Sequence, residues 1–335
     1  MRVWARGVVA ALAAYGVGHG PAHAEDFFRG KTISFLIGHE PGGEYDTHAR
    51  LIARYLSEHL PGTPAMVPQN MLGASGMRAT NFLYNQAPRD GTTIGMVAEN
   101  ILQNQAFGDP GIQYDAAKLN WIGSMTRTSE IMITWHTSGI KTVDDARKRE
   151  VVLGTSTKLT LHYVMSQVMN EFLGTKIRVV TGYKGGSDMS LAVERGEVDA
   201  RVVAWSAIKT TKPEWVATKK INVIAQMGPT LEELHGVPNV EDLVTRPEDR
   251  EVIEIFTSAN RLGRPVATAP EVPKDRVDML RAAFDATMAD TRFLRDAEHA
   301  HIEVMPVKGV DMEKETRQVL ATSPELIERA KALVR

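Results

Sequence analysis

A glycine-rich loop contains the first residues of this sequence that could bind a ligand. It joins a predicted strand to a predicted helix, and its candidate binding residues are Pro41, Gly42, Gly43, Glu44 and Asp46. The glycines let the backbone approach a ligand closely, and the first N–H groups of a helix have no acceptor within that helix. Such a helix start attracts anions through its dipole and through charge-assisted hydrogen bonds. The loop therefore predicts an anion site, with a tight turn capped by Asp46 as the structural alternative.

Three further loops place glycines, hydroxyls and amides before a predicted helix. Their candidate binding residues are Gly73 and Ala74 in segment 69–76, Ser156, Thr157 and Thr160 in segment 154–160, and Tyr183, Lys184 and Gly185 in segment 182–187. Any one of these loops is typical of an ordinary cap or turn. Four of them in one chain favour a ligand cleft. Trp205 is a candidate for an apolar wall of that cleft, with burial in the core as its alternative.

Glu44 is the residue that agrees least well with a simple anion site. A carboxylate beside a bound carboxylate is repulsive. One interpretation is that Glu44 points to solvent from the first helical turn, where it favours the helix dipole. The other is that it lines the cleft and selects a ligand that also carries a hydrogen-bond donor or a positive charge. The sequence leaves both interpretations open.

Metal binding and catalysis are the alternatives to simple ligand binding. A cluster of possible metal ligands comprises His39, Glu40, Glu44, Asp46 and His48. No H-E-x-x-H motif is present, and residues this close in a turning loop mostly point apart, so we predict no metal and no cofactor. The sequence contains neither G-x-S-x-G nor a recognisable nucleophile and base, so we predict no catalytic residue. Arg201, as an isolated cation, is expected in solvent.

Composition and the start of the chain restrict location and partners. The 335 residues include 39 Lys plus Arg against 41 Asp plus Glu, a net charge of −2, which excludes a basic protein built to coat nucleic acid. Cysteine is absent, which excludes disulfides. Two arginines, an uncharged run and the segment Ala22-His23-Ala24 predict a signal peptide over residues 1–24. We therefore expect a periplasmic protein.

Short apolar strands alternate with helical patterns from Lys31 onward, which predicts an α/β fold around parallel strands. A second, similar series begins near Glu130, so two lobes with a ligand cleft between them are expected. The segment 229–250 is predicted as surface structure with one or two helical turns, and 254–258 as a further short element. The chain is expected to change lobes near residues 126–130 and 256–260.

Several motifs, taken in order, resemble one protein family. They are Pro41-Gly42-Gly43 with Asp46, Gln69-Asn70 with Gly73-Ala74, Asp90-Gly91-Thr92, Gly182-Tyr183-Lys184-Gly185-Gly186, Glu194-Arg195-Gly196-Glu197-Val198-Asp199 and Gly263-Arg264-Pro265. Together they resemble the substrate-binding proteins of tripartite tricarboxylate transporters, also called the Bug or TctC-like family. The resemblance extends over essentially the whole chain after residue 24.

The resemblance implies a type II, Venus-flytrap periplasmic binding protein, with residues 25–127 plus 259–335 as lobe 1 and 128–258 as lobe 2. It implies a monomeric receptor, without catalysis, that closes on a small organic carboxylate and delivers it to the membrane subunits of a tripartite transporter. In this family the loop holding Pro41, Gly42, Gly43 and Asp46 would face Ser156, Thr157 and Thr160 across the cleft. A periplasmic hydrolase or metal-dependent enzyme, and a ligand sensor for a signalling partner, are the alternatives.

Overall fold

The computed structural model describes residues 27–156 and 160–334. The predicted signal peptide, residues 1–24, and the candidate Thr157 lie outside the described residues. The described strands are β1 (Thr32–Ile37), β2 (Ala65–Asn70), β3 (Thr93–Met96), β4 (Asn120–Ser124), β5 (Glu130–Trp135), β6 (Glu150–Gly154), β7 (Lys176–Val180), β8 (Ala200–Ala204), β9 (Ile221–Met227), β10 (Pro265–Thr268) and β11 (Val307–Lys308).

Helices cover the faces and ends of the sheets. The described helices are α1 (Glu44–His59), α2 (Met77–Asn85), α3 (Ile101–Phe107), α4 (Val143–Lys148), α5 (Leu161–Leu173), α6 (Gly186–Glu194), α7 (Trp205–Thr211), α8 (Pro213–Ala217), α9 (Val240–Leu243), α10 (Pro247–Leu262), α11 (Lys274–Ala289), α12 (Thr291–His299), α13 (Gly309–Leu320) and α14 (Pro324–Ala332). None of these helices is both long enough and apolar enough to cross a bilayer.

The strands form two separate sheets, which confirms the predicted α/β class and its two halves. The first sheet has the order β2-β1-β3-β10-β4-β11 and the second has the order β7-β6-β8-β5-β9. Parallel pairs form where expected, between β1 and both β2 and β3, and between β6 and both β7 and β8. Each sheet also contains an antiparallel strand, β10 in the first and β5 in the second, which the alternating pattern did not predict.

The amphipathic pattern of α1 correctly predicts its buried face. Ala49, Ile52 and Leu56 are fully buried against the apolar side of β1, in a cluster with Ile33 and Phe35. The spacing of three and four residues places these side chains on one stripe of the helix. The helix begins at Glu44, so Glu44 lies in its first turn.

The chain passes between the sheets at two adjacent places. The N–H of Thr128 donates to the carbonyl of Asn260 at 3.0 Å, and the N–H of Arg264 donates to that of Thr126 at 3.4 Å. Gly263 has a φ of +58°, and a Cβ there would lie 1.8 Å from the Thr126 oxygen. Only glycine allows the two crossings to approach this closely. The exact lobe boundaries, residues 25–127 plus 259–335 and 128–258, stay a prediction.

Helix α10 differs most from the sequence prediction. The segment expected to be surface structure followed by a short element is a helix of 16 residues that begins at Pro247. Val252 and Phe256 pack in the core of the second sheet, whereas Leu262 packs in a cluster of the first lobe. Residues 256–260 therefore lie within a helix that contacts both lobes. The dense charge around Glu248 hides its apolar stripe, because those charges occupy the first exposed turn.

Candidate functional site

A cavity of about 510 Å³ lies between the two lobes. Elements around the first sheet contribute Glu44, Glu99 and Arg264 to its lining, and the second lobe contributes Glu130, Leu161, Ala204, Ser206, Ala207, Thr210 and Thr211. We call this the inter-lobe cavity. A neighbouring cavity of about 360 Å³ shares Glu44, Thr128, Ser206 and His301 with it. These volumes suit a small organic ligand.

Arg264 is the central cation of the inter-lobe cavity. Its Nη2 donates to Glu44 Oε1 at 2.6 Å, and its Nη1 donates to Glu99 Oε2. The guanidinium also lies 4.5 Å from the ring centroid of Tyr45, which stacks on His39. Although burial opposes its charge, the carboxylates of Glu99 and Glu44 raise the pKa of Arg264. Both hydrogen bonds connect residues more than 160 positions apart, so only folding brings this group together.

Carboxylates outnumber cations in the lining of the inter-lobe cavity. Glu44, Glu99 and Glu130 contribute three carboxylates, and Arg264 contributes one guanidinium. Burial raises the pKa of Glu99 against the opposing effect of Arg264, and the charges of Glu44 and Glu130 add to the rise. The second oxygen of Glu130, Oε2, lies 3.5 Å from His162 Nε2. The cavity is therefore acidic and rich in hydrogen-bond acceptors, so it favours donors on a ligand.

Asn260 adds an acceptor that is available to a ligand. The residue is 2% exposed and lines the inter-lobe cavity. Its Nδ2 donates to Thr128 Oγ1 at 3.2 Å, whereas its Oδ1 has no partner among the described residues. A buried amide oxygen without a donor is costly, so a ligand donor at this position would be favourable.

Asp46 holds the glycine loop in shape from beneath. It is 3% exposed, and its carboxylate accepts hydrogen bonds from Gly42 N, Arg50 Nε and Asn70 Nδ2 at 2.8 to 2.9 Å. The hydrogen bond from Arg50 is the main reason that the pKa of Asp46 falls to about 2. Asp46 acts on the loop rather than on the inter-lobe cavity, whose described lining does not include it.

Some backbone N–H groups of the α1 loop have hydrogen-bond acceptors, and others have none among the described residues. Gly42 donates to Asp46, and Gly43 donates to the carbonyl of Glu40 at 3.2 Å. Over the described part of the chain, the N–H groups of Glu44, Tyr45 and Asp46 have no acceptor. Gly42 and Glu44 line the neighbouring cavity, whereas Pro41 is exposed outside both linings. The first turn of α1 therefore retains its capacity to bind an anion.

The second predicted loop lies away from the inter-lobe cavity. Gly73 and Ala74 both have positive φ, at 145° and 45°, and begin a short 3-10 turn before α2. Ala74 lines a different cavity, beside Met71 and Arg78. Gly73 and Ala74 shape the turn, whereas Asn70 of the same loop contacts the α1 loop through Asp46.

The predicted residues of the second lobe mainly stabilise their own loops. Thr160 caps α5, since its Oγ1 accepts from Tyr163 N at 3.2 Å, and the Ser156 carbonyl accepts from Gly182 N at 3.0 Å. The Tyr183 ring packs beside Val198, and the Lys184 N–H donates to Asp188 at 3.3 Å. Gly185 is the N-cap of α6. Leu161, directly after Thr160, is the residue of this loop that lines the inter-lobe cavity.

Trp205 lies in the core, in agreement with its structural alternative. It is 6% exposed and packs with Ile131, Ile133 and Trp215. Its Nε1 donates to Glu233 Oε2 at 3.1 Å. The neighbouring residues of α7, rather than the indole, line the inter-lobe cavity.

Besides the predicted Glu44, three charged residues line the inter-lobe cavity that were not among the predicted site residues: Glu99, Glu130 and Arg264. Glu99 follows the carboxyl end of β3, where ligands of α/β sheets bind. Its position after a predicted strand is therefore a signal from which it could have been predicted. Arg264 belongs to a motif noted for its resemblance but was not assigned a role. Glu130, at the start of β5, had no comparable signal.

The histidines near the glycine loop do not form a metal site in the structure. Within residues 27–156 and 160–334, no group of three or more His, Asp or Glu side chains is arranged to hold a metal ion. His39 stacks on Tyr45, and His48 is a buried residue of α1 itself. Burial is the main reason that the pKa of His48 falls to about 4, so His48 is neutral at pH 7.

Comparison with known families decides the affiliation of the chain. The model of the tripartite tricarboxylate transporter family receptor matches residues 48–330. The chain belongs to this family. Its members are solute-binding receptors, and the two-sheet architecture is that of periplasmic binding proteins. Comparison with curated protein sequences gives no match.

Solved structures share the fold at low sequence identity. A TctC solute-binding protein from Polaromonas matches with a TM-score of 0.72 and 15% identity, over 89% of this chain and 98% of that chain. A Rhodopseudomonas palustris protein solved with adipate matches with a TM-score of 0.56 and 20% identity, over 90% of this chain and 97% of that chain. MatC from Rhodopseudomonas palustris, with bound malate, matches with a TM-score of 0.52 and 17% identity, over 91% of this chain and 99% of that chain. At these identities the likeness establishes the fold.

Proposed function

We propose that this receptor captures a small organic acid in the inter-lobe cavity and delivers it to the membrane subunits of a tripartite transporter. The family affiliation and the carboxylates bound by two structural relatives support this function. We further propose that the mature protein is a periplasmic monomer formed by removal of residues 1–24. It acts by binding alone, without catalysis or a cofactor.

The acidic lining of the inter-lobe cavity is the observation that narrows the ligand class. Glu44 lines this cavity, which favours the second of its two interpretations. Within the inter-lobe cavity itself, three carboxylates and the unpaired Asn260 Oδ1 favour an ammonium or hydroxyl group of the ligand over a second carboxylate. The free N–H groups in the first turn of α1 are the matching place for a ligand carboxylate. We therefore propose an organic acid that also carries an amino or hydroxyl group.

Titration calorimetry on Glu44→Gln tests the ligand class, after a thermal-shift screen of organic acids has identified binders. The substitution removes a negative charge from the cavity, so it should weaken binding of an amino or hydroxy acid by about tenfold and strengthen binding of a plain dicarboxylate. Glu150→Gln is the matched control, because Glu150 is equally exposed and pairs with Arg178 on the outer strand pair.

Two outcomes would oppose the proposal. If no organic acid stabilises the wild-type protein, the receptor function fails for this ligand class. If acids bind but Glu44→Gln leaves both ligand types with unchanged affinity, Glu44 acts only at the start of α1, and specificity comes from the opposite lobe.

A further inference from the structure

A cavity of about 470 Å³ lies beside α6 and α7 on the second lobe. Its lining includes Gly186, Ser187, Ser190, Arg201, Thr211 and Lys212, and we call it the Arg201 pocket. Ala207 and Thr211 line both this pocket and the inter-lobe cavity. The two spaces therefore adjoin along α7.

Arg201 is buried in this pocket, so the expectation that it lies in solvent is wrong. It is 5% exposed, and its Nη1 donates to the Gly186 carbonyl at 2.7 Å and to Ser190 Oγ at 2.6 Å. Its Nε is buried and has no partner among the described residues. Those two acceptors are neutral and leave most of the five guanidinium donors unused.

No carboxylate in the described ranges lies within 4 Å of the Arg201 guanidinium. Glu194, the carboxylate that lines the pocket, accepts hydrogen bonds from Lys212 Nζ and Trp215 Nε1, both at 3.0 Å. Burial lowers the pKa of Arg201 to about 10, and the group still remains charged at pH 7. The charge of Glu130 opposes this fall in pKa, but it acts from beyond 4 Å. A buried cation without a directly paired carboxylate is costly, so a site that accepts an anion at this position is favoured.

The start of α6 supplies a second feature that favours an anion. This helix of nine residues begins at Gly186, directly beside the guanidinium. Its first N–H groups and the Ser187 hydroxyl are donors at the edge of the pocket. Guanidinium, hydroxyl and helix start together are the donor set that binds a carboxylate or a similar oxyanion.

We propose that the Arg201 pocket is an anion-binding subsite that takes the carboxylate at the far end of the ligand. This inference rests on the proposed function, because it assumes that the ligand extends past α7 from the inter-lobe cavity. Arg201 then acts as a ligand-binding residue, and the receptor selects acids long enough to reach it.

Calorimetry with succinate, malate and adipate tests this subsite on wild-type protein, Arg201→Gln, Arg201→Lys and Arg178→Gln. Arg178 is the matched control, because it lies on β7 of the same sheet and pairs with Glu150 at the surface. Arg201→Gln should raise the Kd of the acid that binds best by about tenfold or more, with Arg201→Lys between it and the wild type. Arg178→Gln should leave the Kd unchanged.

A resonance titration tests the pocket separately from the transported ligand. The Nε–H signal of Arg201, assigned by its loss in Arg201→Lys, should shift when sodium sulfate or succinate is added to the wild-type protein. A shift with succinate alone identifies the ligand carboxylate as the occupant, whereas an equal shift with sulfate identifies a general oxyanion site.

The two experiments fail in distinguishable ways. An Arg201 signal that stays fixed with both anions overturns the subsite, and so does an unchanged Kd of folded Arg201→Gln for the acid that binds the wild type best. If no acid binds the wild-type protein but sulfate shifts the Arg201 signal, the proposed function fails while the anion pocket stands.

Discussion

Arg264 and Arg201 are buried to nearly the same degree, at 6% and 5% exposure, yet their surroundings are opposite. Arg264 donates to two carboxylates, whereas the acceptors of Arg201 within the described residues are a carbonyl and a hydroxyl. Their pKa values move accordingly, upward for Arg264 and down to about 10 for Arg201. The first arginine is neutralised by the protein itself. The second leaves its charge available to a ligand.

Loss of Arg264 should have the largest effect on stability. Arg264→Gln leaves Glu44 and Glu99 without their cation and close to Glu130, so we expect the free energy of unfolding to fall by about 3 to 5 kcal/mol. Urea denaturation of the ligand-free protein measures it. The double variant with Glu99→Gln should recover part of the loss, and a single-variant loss below about 1 kcal/mol would contradict the ion-pair description.

Acidification should lower the free energy of unfolding through His48, which is buried near Arg264. Burial lowers the folded-state pKa of His48 to about 4, so the unfolded chain takes up the proton first as pH falls below about 6.5. Its contribution to stability is complete above pH 6.5 and is lost between pH 6.5 and 4, by at most about 3 kcal/mol. Urea denaturation across this range should show a shallower decline for His48→Asn, and parallel curves for the two proteins would refute the assignment.

Loss of Arg201 should have the smallest effect. Arg201→Gln removes a buried charge that has no carboxylate within 4 Å in the described ranges, with Glu130 the more distant opposing charge. The glutamine amide can still donate to Ser190 or Gly186. We expect the free energy of unfolding to change by about 1 kcal/mol or less. Urea denaturation of Arg201→Gln and Arg264→Gln in the same buffer compares the two losses. If Arg201→Gln lowers the free energy of unfolding as much as Arg264→Gln or more, Arg201 is a structural residue.

Local patterns predicted the elements well but not their long-range pairing. The predicted alternation of short apolar strands with helices from Lys31 onward is confirmed, because apolar periodicity reflects which face of an element is buried. Helix α10 was missed because charges and a proline dominate its first turn. The four glycine loops were recognised as helix starts, but among residues 27–156 and 160–334 the inter-lobe cavity is lined from these regions by Glu44 of the α1 start and by Leu161.

By itself, the sequence determined the α/β class, the two halves and the family, since these follow from periodicity and from ordered motifs along the chain. Only the tertiary structure decided which charges meet. Glu44 and Arg264 are 220 positions apart, and their contact depends on the two chain crossings at Thr126 and Gly263. Arg201 lies on a strand, as the exposed Arg178 does, so its sequence position does not reveal its burial. Only the packing of α6 and α7 against β8 buries it. A residue's type is local, but its burial and its partners depend on the whole fold.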